Sequence, residues 1–286
     1  MSTLLLALDA IVKQGEGMIV RRYGKKYGDG GMFFNAFICL FATVFFLFTD
    51  KGGLCFPKEL WVYGIISCLM FATGFYTMYL AMQIGSYVGT RMFSGFSVIF
   101  PMFYGIFFLK EPSSVTTVIA FILIFLSIFL RTYQKNDDTN KGATPVRWYI
   151  YLFLSAVSNG FISIISRMQQ IRFDNSCDNE FMIISFAGSA LFLFVMGYIK
   201  EREKFKKTAK YSLLYGAGAG LLNGAVNLLG LMLYLYLPIS VSLPLRQGIG
   251  FLLSFLVAKF LYKETFTKRE IAALIVGAAA IILFKI

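Results

Sequence analysis

The chain contains no histidine, which excludes zinc sites built on imidazole and histidine general bases alike. Its four cysteines, Cys39, Cys55, Cys68 and Cys177, form no CxxC pair, and Cys39 and Cys68 fall inside apolar runs. Charge is scarce too: 15% of residues are charged, against about 25% in an average soluble domain. There is no GxxxxGK[ST] loop, which argues against ATP-driven transport by this chain alone. The first segment has no basic stretch before it and no small-residue cleavage site, so a signal peptide is not expected. No catalytic residue, metal site or cofactor is expected, and the chain does not read as an enzyme.

What the chain has in excess is apolar length. Hydrophobic residues make up 58% of it, with 32 Phe and 16 Tyr, and the mean hydropathy is +0.70. The apolar runs are continuous rather than alternating, which excludes a β-barrel and predicts an all-α membrane protein. The net charge of +12 does not indicate nucleic-acid binding, because most cations fall in breaks between spans, where lipid headgroups and membrane orientation account for them.

Apolar runs of about 20 residues predict ten spans, at 3–20, 32–49, 60–83, 87–109, 114–131, 147–167, 181–199, 211–236, 239–262 and 268–285. The longest connection, 132–146, falls at the midpoint and reads as a linker between residues 1–131 and 147–286. The halves resemble each other. "LLALDAIVKQGEGMIVRRYGKKY" lies over "IYLFLSAVSNGFISIISRMQQIR", matching Gly15 with Gly160, Ile19 with Ile164 and Arg22 with Arg167. "FFLKEPSS" likewise parallels "FLYKETFT", pairing Lys110-Glu111 with Lys263-Glu264. Five spans per half force the second copy to insert upside down, the inverted-repeat plan of many secondary transporters.

Five plus five spans, a Lys-Glu pair ending the fourth span of each half, and a short final span such as "EIAALIVGAAAIILF" together resemble the drug/metabolite transporter superfamily of EamA type. The resemblance implies ten helices around a central cavity and alternating access. It leaves the substrate open among amino acids, amines, nucleotide sugars, phosphorylated sugars and other metabolites. It also implies cytoplasmic termini. The loop cations argue the reverse: seventeen lie on the side opposite the termini, against six on the termini's side (Lys51, Lys58, Lys110, Arg167, Arg172 and Lys285). By the positive-inside rule both termini are then expected outside. The run "KEREKFKKTAK" at 200–210 reads as a solvated cytoplasmic loop.

The first span carries Asp9, Lys13 and Glu16, spaced i, i+4 and i+7, on one helical face. At a lipid-facing helix centre each would cost about 2.5–3.5 kcal/mol. Three readings follow: a stripe lining a cavity, a structural salt-bridged stripe, or an amphipathic helix lying on the membrane. In the first reading Lys13 holds the two carboxylates apart. Arg91 in the fourth span and Arg246 in the ninth each offer a planar fork for a carboxylate or phosphate, or else neutralise Asp9 or Glu16. Asn223 and Asn227, Gln14 and Asn159, and Tyr76 and Tyr79 are milder polar groups that pair between helices or orient a ligand. Gly216, Gly220 and Gly224 predict close helix packing. Glu111 and Glu264 are expected to cap or pair at helix junctions. Cys55 and Cys177 fall in connections on one side, where a disulfide requires Cα atoms about 4.4–6.8 Å apart.

The expected function is secondary transport of a small polar metabolite, amino-acid-like or another zwitterion or mono-anion. Asp9, Lys13, Glu16, Arg91, Arg246, Asn227 and Asn159 would carry binding or coupling. The alternatives are a flippase of a lipid-linked precursor or a membrane-embedded transferase. The expected partners are the solute and the bilayer of a bacterial-type plasma membrane, with no nucleic acid, in a monomer or homodimer.

Overall fold

The architecture follows from helices that must satisfy their backbone groups internally and bury small or aromatic residues against each other. The computed structural model describes residues 1–27, 31–50, 52–84, 94–111, 115–132, 146–261 and 268–283. In chain order the helices are α1 (Ser2–Tyr27), α2 (Met32–Thr49), α3 (Lys58–Ile84), α4 (Ile99–Phe103), α5 (Val115–Thr132) and α6 (Val146–Arg172). They continue with α7 (Asp178–Tyr236), α8 (Ile239–Phe260) and α9 (Lys268–Leu283). The backbone of α7 breaks at Glu201, where φ is −132° and ψ 21°. It therefore forms two helices, α7a (Asp178–Glu203) and α7b (Ala209–Tyr236).

Among the described residues, six helices are long and apolar enough to cross a membrane: α2, α3, α6, α7a, α7b and α8. Gly95–Phe108 and Ile271–Ala280 are shorter apolar helices. Large apolar side chains stand exposed on many of them, among them Phe48, Phe107, Leu191, Ile199 and Phe260. Exposure on that scale fits a lipid-facing perimeter and not a water-facing one.

The largest core cluster joins α2, α3, α6 and α7, with Phe46, Phe71 and Phe186 in ring contact at its centre. Here α2 lies between α7a and α7b. On one side Phe33 and Phe37 meet Phe194, and on the other Phe37, Phe41 and Phe45 meet Gly216, Gly220 and Gly224. A Cβ at Gly220 would stand 2.5 Å from the Ile38 carbonyl oxygen, so the glycine row is what admits α2. α3 packs on α6 and α7a, and Ser189 on α7a donates to the Cys68 carbonyl at 3.1 Å. α1 packs on α7b and α8, α4 and the 3-10 turn before it pack on α6, and α5 packs on α9.

Two elements differ from the sequence expectation. The basic stretch 200–210 is helical on both sides of the Glu201 break, not a loop, because Glu, Lys and Arg are strong helix formers. The fourth span is described only from Ser94, and there it is broken: a 3-10 turn (Ser94–Val98), α4, then a π turn (Tyr104–Phe108). Pro101 lacks the N–H that a regular ladder would use in this stretch. Cys55 is exposed, Cys177 is buried, and both are free, so the disulfide is not formed. Residues 133–145 of the linker, Arg91 and Glu264 lie outside the described residues.

Candidate functional site

Asp9 is completely buried, which removes the reading of α1 as a helix lying on the membrane with its acidic stripe at the headgroups. A buried carboxylate needs partners, and the partner here is Arg246 on α8. The guanidinium donates from Nε to Asp9 Oδ2 at 2.9 Å and from Nη2 to Oδ1 at 2.5 Å, a bidentate fork. Nη2 also donates to the Val226 carbonyl at 3.0 Å. Gly230 makes the room: a Cβ there would stand 2.5 Å from Nη1. Tyr234, buried on α7b, is in hydrogen-bonding reach of both Arg246 and Ser163 of α6.

The rest of the stripe pairs across helices in the same way. Lys13 Nζ donates to Gln247 Oε1 at 2.7 Å, with Asp9, Glu16 and Arg246 close enough to act on it electrostatically. Asn223 Nδ2 donates to Glu16 Oε1 at 2.9 Å, and Asn227 Nδ2 donates to Asn223 Oδ1 at 3.1 Å. Ser254 Oγ donates to Gln14 Oε1 at 2.8 Å. Lys13 thus bonds Gln247 while Asp9 and Glu16 both act on it electrostatically. Arg246 holds Asp9, and Lys13 turns to the neighbouring glutamine, since only the fork can satisfy both oxygens of a fully buried carboxylate.

Five of the seven expected residues come together on one seam between α1, α7b and α8: Asp9, Lys13, Glu16, Asn227 and Arg246. Asn159 Nδ2 turns back instead to the Ser155 carbonyl of its own helix at 2.8 Å. Arg91 lies outside the described residues. Tyr76 is drawn to Lys200 at the basic end of the fold, and Tyr79 is buried. Gln247, Ser254, Tyr234 and Gly230 were not anticipated. Their signal was present for Gln247, beside Arg246 in "LRQG", and for Ser254, one heptad on, but a single serine in an apolar run carries little weight alone.

Gly15 and Gly160, matched by the repeat, meet different partners: Gly15 faces Leu222 of α7b, and Gly160 faces Phe100 and the Ser97 carbonyl. The ungapped register is therefore approximate at these two positions.

No curated protein matches the sequence. A solved structure described as "Crystal structure of protein" superimposes with a TM-score of 0.77 at 12% identity, covering 99% of this chain and 96% of that one. Identity that low speaks for the fold alone. The family match is to "Sugar transport protein", over residues 18–286, and does not single out the EamA type. The match spans nearly the whole chain, including most of the helices that build the seam. The chain belongs to the sugar transport protein family, a family of membrane transporters.

Proposed function

We propose that this chain is a secondary carrier moving a small polar solute by alternating access, built as ten spans in two inverted halves, 1–131 and 147–286, joined by 132–146, on the EamA-type plan. The observation that carries the reading is the Arg246 fork on a fully buried Asp9, within a seam of interhelical polar pairs. Ionisable groups in a membrane span are costly, face the bundle interior and mark solute pathways.

The packing supports the inverted repeat. Exchanging α1 with α6, α2 with α7a, α3 with α7b, α4 with α8 and α5 with α9 maps α1 on α7b onto α6 on α3. It also maps α1 on α8 onto α6 on α4, and α2 on α7b onto α7a on α3. The pairs α2–α7a, α4–α8 and α5–α9 map onto themselves. All of these contacts are made. A twofold relation in the membrane plane would produce this pattern.

The seam also bears on the solute. Arg246 is taken up by Asp9, Lys13 by Gln247, and Glu16 has Asn223, so the charges are engaged inside the protein. What a solute would meet is mainly amide and hydroxyl, from Asn227, Gln14, Ser254 and, across the fold, Asn159. That chemistry suits a neutral polyhydroxylated solute, in keeping with the family's description, better than a zwitterion or mono-anion. Binding would fall to Asn227 and Asn159, and coupling to Asp9, Lys13, Glu16, Arg246 and Arg91. Both termini would lie outside a bacterial-type plasma membrane.

Proteoliposomes given radiolabelled neutral sugars, a zwitterionic amino acid and a phosphorylated sugar in parallel test this. Saturable uptake of a neutral sugar that Arg246→Lys weakens is the expected result. Uptake confined to the amino acid or the phosphorylated sugar would overturn the solute assignment. No solute uptake, with transfer of a lipid-linked headgroup instead, would favour a flippase. A reporter fused after Ile286 that stays cytoplasmic would reverse the orientation.

A further inference from the structure

The chain leaving α4 makes a hook. Leu109 N–H donates to the Tyr104 carbonyl at 3.2 Å, Glu111 N–H donates to the Gly105 carbonyl at 3.0 Å, and Lys110 between them sits at φ 52°. The hook delivers the Glu111 carboxylate to the start of α8. Oε1 accepts from Ile239 N–H and Oε2 from Ser240 N–H, both at 2.9 Å. These donors lie in the first turn of α8, where a helix has no internal acceptors and a partial positive charge. Gly105 shapes the seat, because a Cβ there would stand 2.4 Å from Glu111 Oε2 and 2.9 Å from Ile239 Cγ2.

That first turn keeps its Val241 and Ser242 N–H groups on the Pro238 carbonyl, but the ladder behind it is interrupted. Pro244 lies inside α8 and has no N–H, so the Ser240 carbonyl loses its usual donor four residues on. The Ser240 and Ser242 hydroxyls are buried without hydrogen-bond partners. Arg246 follows only two residues after the proline. A second carboxylate, Glu201, meets a helix start in a different setting. Its Oε2 accepts from Met32 N–H at 2.7 Å, but α2 is clasped along its length by glycine and phenylalanine, and no proline follows. Glu201 sits at a fixed joint. Glu111 holds a turn that a proline separates from the rest of α8.

We infer that the Glu111 contact with α8 is a releasable latch that closes one mouth of the carrier, between α4 and α8. Its release lets the first turn of α8 swing about Pro244 and opens that mouth while Arg246 stays on Asp9. Charge-assisted bonds suit this role, because water can replace them as the mouth opens. The inference rests on the alternating-access reading.

The test uses full-length protein in nanodiscs, with the four native cysteines replaced and Ser163→Cys as reporter on α6. A polar maleimide reports how fast that thiol is reached, and amide hydrogen exchange is followed along α8. Glu111→Gln keeps the shape but offers one acceptor where two are needed. It should speed labelling by roughly 10-fold or more, the weight of one charge-assisted hydrogen bond. It should also raise exchange in residues 239–243 while leaving 246–257 protected. Glu201→Gln should leave labelling unchanged. Unchanged labelling in Glu111→Gln overturns the latch, and so does exchange that rises evenly along α8. Uptake of labelled D-glucose by the parent protein is scored separately. Altered labelling without uptake sinks the carrier reading and keeps the latch, and uptake with unaltered labelling does the opposite.

Discussion

Two faces of α7b, about a quarter turn apart, are joined to their neighbours by opposite means. One carries Gly216, Gly220 and Gly224, where α2 approaches until backbone meets backbone. The other carries Asn223, Asn227, Gly230 and the Val226 carbonyl, where α1 and α8 arrive with charged and amide side chains. The first interface gains stability from close van der Waals contact, which degrades steeply with small displacements. The second gains it from directional bonds, which can be exchanged one for another. The packed face suits a fixed scaffold and the bonded face suits a surface that re-forms around a solute.

The sharpest way to break this comparison is to strip one partner from the buried pair. Arg246→Ala leaves Asp9 charged and alone, and should destabilise the protein by about 3–5 kcal/mol, measured as loss of thermal stability in detergent. The double variant Asp9→Leu with Arg246→Met should recover most of that stability without recovering transport. Recovered transport would make the pair a structural strut only.

On the packed face, Gly220→Ala drives a methyl against the Ile38 carbonyl oxygen. It should cost about 1–3 kcal/mol by overpacking. Gly17→Ala, with nothing within 4 Å of its added methyl, should not destabilise. Equal thermal shifts in the two variants would remove the glycine row from the account.

A smaller effect is expected from Lys13→Ala, which gives up the bond to Gln247. A loss of about 0.5–1.5 kcal/mol in unfolding free energy fits one such bond. Uptake of a neutral solute should weaken only a few-fold, whereas an anionic solute would lose a cation it needs. The smallest effect belongs to the exposed Arg172–Glu59 pair, whose side chains are 59% and 61% exposed. Arg172→Ala should leave the melting curve where it was, since solvent screens such a pair.

Much of the architecture was legible because apolar length and helix-breaking residues act locally. The starts of α2, α8 and α9 fall where charge, glycine or proline interrupt the runs. The seam was half legible. The i, i+4, i+7 spacing of Asp9, Lys13 and Glu16 marked one face of α1, and Arg246 was already weighed as a neutralising partner for it. The choice of Arg246 over Lys13 as the partner of Asp9 was not legible, because it depends on how α8 is rotated against α1. The hook that brings Glu111 to residues 239 and 240 joins positions 128 apart, and no local pattern in either stretch states it. The helical form of 200–210 was missed because charge was read as solvation, although the same residues are good helix formers.

The clasp of α7a and α7b around α2 sets an order of events during synthesis. About 175 residues separate Thr49 from Gly224, so at 5–20 residues per second the segment Met32–Thr49 waits roughly 10–35 s for its second clasp. Until then its aromatic flank has only lipid, the translocation machinery or another chain to rest against. Residues 1–131 therefore cannot mature to completion before the rest of the chain is made. A ribosome stalled before Gly216 would leave α2 gripped on one side only, the kind of species that membrane quality control removes.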